Sequence, residues 1–237
     1  MDPQSVEKLL ALTGKKCETF VINIWGESFL NKNFFPIIEL LKTRKVIIST
    51  NLNVQTGQVE KLIEYHRNNQ NIQELIISMD GWDKESYETY YRVGGSFELI
   101  EANLRLLQDS TLAGYVILQF LDDGTIETFE KEANAFADRL GMRSQISRMD
   151  MNFKKDGHYD SLGKSCHMLY TGLYIDSDFR ILSCCSDPMG ELKNGSVLDA
   201  KNFRELWNSK TLRQRRVALA TDKNRFSVCR QCDGMQI

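Results

Sequence analysis

The 237-residue chain is 42% apolar, enough to bury one large domain or a domain with an appendage. With 30 Lys and Arg against 32 Asp and Glu the net charge is −2, so composition supplies no basic face for nucleic acid. No apolar run approaches the roughly 18 residues of a membrane span, and Met1-Asp2-Pro3-Gln4 does not lead into a signal peptide. The chain therefore reads as cytoplasmic, a reducing setting in which its six cysteines point to metal or redox chemistry rather than to disulfides.

The first element is a helix, with Asp2 placed to cap it, Pro3 at its first helical position and Val6, Leu9 and Leu10 on one face. Five short apolar runs follow at intervals of 26 to 40 residues: Phe20 to Ile24, Val46 to Ser49, Leu75 to Ser78, Tyr115 to Leu118 and the weaker Gln145 to Arg148. They read as buried strands. The segments between them have helical periodicity: Phe34, Ile37, Ile38 and Leu41; Val59, Leu62, Ile63 and His66; Phe97, Ile100, Leu104 and Leu107; Ile126, Phe129, Ala133, Ala137 and Leu140. Strands apolar on both faces, alternating with one-faced helices, describe βαβ units on a parallel sheet. Periodicity leaves a partial barrel and a doubly wound sheet both open. A βα chain usually opens on a strand, so the leading helix suggests that a strand and its loop lie upstream.

The pattern changes near Asp150. Lys154 to His158 is a polar linker, Leu173 to Ile175 and Arg180 to Leu182 form a hairpin across Asp176-Ser177-Asp178, and a further helix lies around Phe203, Leu206 and Trp207. The division is thus 1–152 for the α/β part and 153–237 for a smaller unit that holds five of the six cysteines.

Ligands of parallel α/β folds bind at the carboxyl ends of the strands. Those tips read Trp25-Gly26-Glu27-Ser28, Ser49-Thr50-Asn51, Ser78-Met79-Asp80-Gly81, Asp122-Asp123-Gly124 and Arg148-Met149-Asp150. Singly, such residues serve as helix caps and turns; five polar tips on one sheet mark a ligand rim. In the smaller unit, Cys166 and Cys184 stand 18 positions apart around the hairpin, and Cys229 and Cys232 form a CxxC 45 residues further on. Four thiolates in this arrangement suit a tetrahedral zinc or an iron-sulfur cluster, and the residues alone leave both open. Cys17 reads as a buried small residue, His66 as a core histidine, and His167 as a structural residue or a donor to its neighbour Cys166.

At the first tip the chain becomes specific. Asn23 to Leu30 resembles the glycine-glycine-glutamate-proline loop of radical S-adenosylmethionine (SAM) enzymes, and Ile48-Ser49-Thr50-Asn51 and Ile77 to Gly81 follow in that family's order. Tyr87 to Phe97, with Arg92, Gly94 and Gly95, resembles a stretch common in members with a SPASM or twitch domain. Cys184-Cys185-Ser186-Asp187, Gly195-Ser196-Val197, Leu206-Trp207-Asn208 and the basic run Arg213 to Arg216 resemble that domain itself. The resemblance spans nearly the whole chain. It implies a partial (β/α) TIM-like barrel of the radical SAM type, missing its first strand, with a small C-terminal SPASM/twitch domain. Gly26 and Glu27 are then expected at the amino group of SAM, with Ser49, Asn51 and Ser78 near its carboxylate and ribose. Cys166, Cys184, Cys229 and Cys232 are expected to hold an auxiliary [4Fe-4S] cluster, with Cys185 a buried neighbour or an alternate ligand. Trp25 stands where the family has its first glycine and Ser28 where it has proline; the bulky Trp25 is expected to narrow the SAM pocket.

The catalytic cluster of that family is held by a CxxxCxxC loop, and this sequence contains none. Without it, reductive cleavage of SAM is not expected. Three readings follow: a truncated core of an enzyme that modifies a peptide or small metabolite, a non-catalytic iron-sulfur accessory or binding protein, and a zinc-stabilised α/β protein. Partners are expected to be a peptide or small-molecule substrate and a protein partner or electron donor, not nucleic acid or membrane. Arg92 and Arg148, near strand tips, are candidates for an anionic or hydroxyl-bearing substrate.

Overall fold

The computed structural model describes residues 1–22, 26–122, 124–148, 168–185, 187, 194–222, 225–226 and 229, with 90, 91 and 148 described by their backbone. Contacts divide the chain into two units, Glu18–Asp150 and Met1–Cys17 together with Met151–Ile237.

The first of these is built on five strands, β1 (Thr19–Ile22), β2 (Lys45–Thr50), β3 (Ile72–Ser78), β4 (Val116–Asp122) and β5 (Arg143–Arg148). Every pair is parallel and the order is sequential, β1-β2-β3-β4-β5. Each crossover therefore steps the same way, as in a (β/α) barrel; a doubly wound sheet reverses. The sheet is the wall of a partial TIM-like barrel. Val46 and Ile48 on β2, Leu75 and Ile77 on β3, and Val116, Leu118 and Phe120 on β4 are fully buried. They alternate with half-buried residues, so one face carries the core. Helices α3 (Thr56–Asn69), α4 (Phe97–Gln108) and α5 (Phe129–Arg139) contribute Val59, Leu62, Ile100, Leu104, Phe129 and Ala133 to that core, and the shorter α2 (Phe34–Leu40) contributes Ile38. Among the described residues β1 pairs with β2 alone, and Val21 on it is 54% exposed where continuous burial is expected from the sequence. His66 is 2% exposed, with its ring 4.8 Å from Tyr115. Burial pushes its pKa down.

The other unit begins with α1 (Pro3–Thr13). Asp2 caps it by accepting from the Ser5 amide at 3.0 Å, with Pro3 in the first turn. The sequence groups this helix with the α/β part; its contacts run instead to α7 (Phe203–Trp207) and to the turn Val197–Asp199. Lys8 Nζ donates to the Leu198 carbonyl, and Lys16 lies 5.2 Å from the Phe203 ring centroid. Cys17 follows the one-turn segment Gly14–Lys16, none of whose residues enters a core, and is half-buried rather than enclosed. Helix α6 (Met168–Thr171) precedes the hairpin of β6 (Tyr174–Ile175) and β7 (Ile181–Leu182). Asp176 shapes its turn, accepting from the Asp178 and Arg180 amides, both at 2.9 Å. The returning segment joins β7 where Ile181 N donates to the Gly195 carbonyl at 2.9 Å. Helix α8 (Lys210–Thr221) carries Arg216, whose guanidinium lies 4.5 Å from the Trp207 ring centroid and whose Nε donates to the Leu169 carbonyl at 2.8 Å. One arginine thus ties α6, α7 and α8. Among the described residues no helix is long and apolar enough to cross a membrane.

At Gly81 a Cβ would lie 2.6 Å from both the Cα and the amide N of Tyr87, a residue 1% exposed. Gly81→Ala is expected to cost about 2 kcal/mol or more through backbone displacement. Gly57→Ala, in α3 with nothing within 4 Å, is expected to gain roughly 0.5–1 kcal/mol. Urea unfolding of both variants reads the contrast.

Candidate functional site

Parallel pairing leaves the carbonyl ends of β2, β3 and β4 on one rim of the sheet, where main-chain groups beyond the last ladder bond need partners. Glu27 supplies them for β2. Its Oε1 accepts from the Thr50 hydroxyl at 2.8 Å and from the Phe29 amide at 3.2 Å, while Oε2 accepts from the Asn51 amide at 2.7 Å. The carboxylate therefore fastens the turn Ser28–Leu30 to the strand end. Thr50, 1% exposed, passes the order on by accepting from the Leu52 amide at 2.9 Å. Gly26 is exposed, with φ of 97°, a conformation that favours glycine. Ser28 is buried and its hydroxyl lacks a hydrogen-bond partner among the described residues.

The tip of β3 is held by Asp80, whose φ is 59°. Its Oδ1 accepts from the Leu121 amide at 3.0 Å, closing β3 onto β4, and its Oδ2 pairs with Arg92 Nη2 at 2.5 Å. The same nitrogen donates to the Ser78 carbonyl at 3.2 Å. Burial pushes the Asp80 carboxyl above its ordinary 3.8, outweighing the opposing pull of Arg92. Between the two tips, Asn53 Nδ2 donates to the Ser96 carbonyl at 2.8 Å and to the Tyr87 hydroxyl at 3.3 Å. Asn103, wholly buried on α4, donates to the Leu52 and Val54 carbonyls at 3.0 and 2.8 Å.

Of the residues singled out for the SAM site, Glu27 and Asn51 are in direct contact. Ser49 and Ser78 lie on the half-buried face of their strands, and the Ser78 carbonyl meets Arg92. Thr50, Asn53, Asp80, Tyr87 and Asn103 complete the network without having been picked out as site residues. Asn103 had a signal, an amide within the apolar stripe Ile100, Leu104, Leu107. Trp25, Asp123, Met149 and Asp150 lie outside the described residues, as does the Arg148 side chain.

In the second unit, Cys184 and Cys229 are half-buried and Cys185 is buried. Cys166, His167 and Cys232 lie outside the described residues; among those described, no three His, Cys, Asp or Glu gather as a metal site. Arg215, 7% exposed, is pushed down from its ordinary pKa by burial, against the attraction of Asp187, Cys229 and Cys184. A buried guanidinium that interacts electrostatically with two half-buried cysteines suits thiolate ligation, since a cation favours the ligating form.

Residues 166–233, which contain all four candidate ligands, match the SPASM family, an iron-sulfur cluster-binding domain. No curated protein sequence matches the chain. Two crystal structures are similar. Selenomethionine BtrN in an open conformation aligns with a TM-score of 0.57 at 12% identity, over 98% of this chain and 80% of that one. SuiB of Streptococcus suis, bound to S-adenosylmethionine, aligns with a TM-score of 0.69 at 12% identity, over 98% of this chain and 63% of that one. These likenesses establish the fold.

Removing the Glu27 carboxylate leaves two amides and a hydroxyl without their acceptor. Glu27→Ala is expected to lose about 2–3 kcal/mol, and Glu27→Gln, which sets a donor against donors, part of that; urea midpoints measure both. For Asp80 the sign follows from its raised pKa. Above 3.8 the folded state holds a proton that the unfolded chain releases, so stability from the protonated carboxyl is present at low pH and lost as pH rises through the folded value. The stability of wild type relative to Asp80→Asn should therefore fall as pH rises from about 4. Urea unfolding across that range checks it, and a flat or rising difference contradicts it.

Proposed function

We infer that this chain, a radical SAM-fold protein with a C-terminal SPASM domain, carries an auxiliary [4Fe-4S] cluster on Cys166, Cys184, Cys229 and Cys232. Its parent activity is the modification of a peptide or small metabolite. The observation that carries the reading is the match of residues 166–233, which hold all four cysteines, to an iron-sulfur cluster-binding domain, supported by the buried Arg215, which interacts electrostatically with Cys184 and Cys229. When bound, the cluster would supply one-electron transfer, since four thiolates leave none of its irons open. The protein's part is to hold the thiolates in a partly buried setting, with Ser183 and Asn194 fixing the chain around Cys184.

At the sheet rim, Gly26, Glu27, Ser49, Asn51 and Ser78 form the SAM-facing edge. Three contacts already engage the Glu27 carboxylate, which leaves one of its roughly four lone-pair directions for a ligand ammonium. With no CxxxCxxC in the sequence, SAM lacks the open iron that its amino and carboxylate groups chelate in this family. Losing such a contact is worth several kcal/mol, at about tenfold in affinity per 1.4 kcal/mol. The isolated chain therefore binds SAM weakly and does not cleave it. It works in the cytoplasm with a protein partner or electron donor. That absent motif equally favours a non-catalytic iron-sulfur accessory protein as the second reading.

Anaerobic reconstitution with iron and sulfide is expected to load about four irons per chain and turn the protein brown. Cys229→Ala with Cys232→Ala should abolish loading while the Glu18–Asp150 unit keeps its fold, as followed by circular dichroism. Stoichiometric zinc in place of iron would overturn the cluster. Calorimetric titration of SAM should give little or no heat, and 5′-deoxyadenosine formed with dithionite above a no-protein control would overturn the proposed inactivity.

A further inference from the structure

The basic run Arg213 to Arg216 has three different environments. Arg213 is exposed, and Arg216 is committed to Trp207, Asn208 and the Leu169 carbonyl. Arg215 points into the fold and is 7% exposed. Its Nη1 donates to the Ser183 hydroxyl, which also accepts from Asn194 Nδ2 at 3.1 Å. Ser183 and Asn194 are 4% and 6% exposed. Ser183 immediately precedes Cys184, and the Asp187 amide donates back to the Cys184 carbonyl at 3.3 Å. The guanidinium is thus hydrogen-bonded to the side chain of the residue that immediately precedes Cys184, from a helix that ends eight residues before Cys229.

A guanidinium keeps its proton in proteins, so this side chain is a permanent buried charge that needs anions around it. Asp187, 1% exposed, supplies one. With the cysteines as neutral thiols, the pair Arg215–Asp187 is balanced. With a thiolate-bound cluster in place, the surroundings become strongly anionic and gain one more negative charge on reduction. A fixed cation at low dielectric favours that added electron, because cluster potentials follow local charge, hydrogen bonding and exposure.

Resting on the cluster reading above, we propose that Arg215 is a positioning residue for the auxiliary cluster. It holds the Ser183–Cys184 segment in its ligating place and raises the reduction potential of the cluster, with Asp187 as the counter-charge that limits the rise. The step concerned is the one-electron 2+/1+ couple, with dithionite as the donor in the test.

The experiment uses the full chain, reconstituted anaerobically, as wild type, Arg215→Gln, Arg215→Lys and Asp187→Asn. Iron content is measured first, and then the potential is determined by redox titration followed by electron paramagnetic resonance. Arg215→Gln should titrate at a more negative potential than wild type and Asp187→Asn at a more positive one. Arg215→Lys should stay near wild type in potential but lose iron to a chelator several-fold faster, because an ammonium cannot reproduce the planar fork. A fully loaded Arg215→Gln at unchanged potential overturns the proposal alone. If Arg215→Gln does not load, Asp187→Asn decides: a rise supports the proposal, and no change or a fall overturns it. A wild type that takes up no iron overturns the cluster reading and this proposal with it.

Discussion

Main-chain groups at the end of a parallel strand must be satisfied by something other than the sheet, and most of what distinguishes the Glu18–Asp150 unit follows from how it meets that demand. At β2 the solution is a carboxylate from the preceding loop, Glu27, taking the Asn51 amide and the Thr50 hydroxyl. At β3 it is Asp80, which reaches across to the Leu121 amide of β4. Both are acids at the rim where a parallel α/β fold binds its ligands, so the groups that complete the fold also set the charge a ligand meets. The rim is anionic at Glu27, and Arg92 supplies the compensating charge at Asp80.

The smaller unit solves a different problem with few regular elements. Its hairpin strands are two residues each, too short to be stable alone. Around a core that includes Phe179, Val197 and Leu206, arginines join its elements. Arg216 ties three helices by stacking and hydrogen bonds, and Arg215 binds α8 to the cysteine-bearing turn. Neighbours in sequence, the two project from adjacent positions of α8, one toward aromatic surface and one toward the buried Ser183 hydroxyl. Stacking at one position and buried charge at the next both suit a guanidinium better than an ammonium.

Strands β1 to β4 were legible because their cores are apolar, largely β-branched or leucine-containing runs, β5 only weakly because Ile146 is its one apolar residue, and Asp2-Pro3 located α1 because capping is local chemistry. Sequential strand order, which separates a barrel from a doubly wound sheet, was not legible, since periodicity records which face is apolar and not which strand lies beside which. The partners of α1 were hidden for the same reason. The rim network was half legible. Glu27 and Asn51 stood out through a family resemblance, whereas Thr50 and Asp80 read as ordinary turn residues until the strands were brought side by side. The basic run Arg213 to Arg216 could be seen in the sequence, but helical phase decides which of its members is buried.

The contacts of α1 with α7 and the Val197–Asp199 turn join residues separated by most of the chain's length. The Glu18–Asp150 unit is one continuous stretch, while the other unit is made from both ends of the chain. During synthesis, which proceeds at roughly 5–20 residues per second and lets units fold as they emerge, the continuous unit can close on its own. Helix α1, made well before α7, must wait for α7 to leave the ribosome. Its apolar stripe of Val6 and Leu9 then stays uncovered until α7 is made, and the Ser183–Cys184 turn acquires its Arg215 contact only once α8 follows.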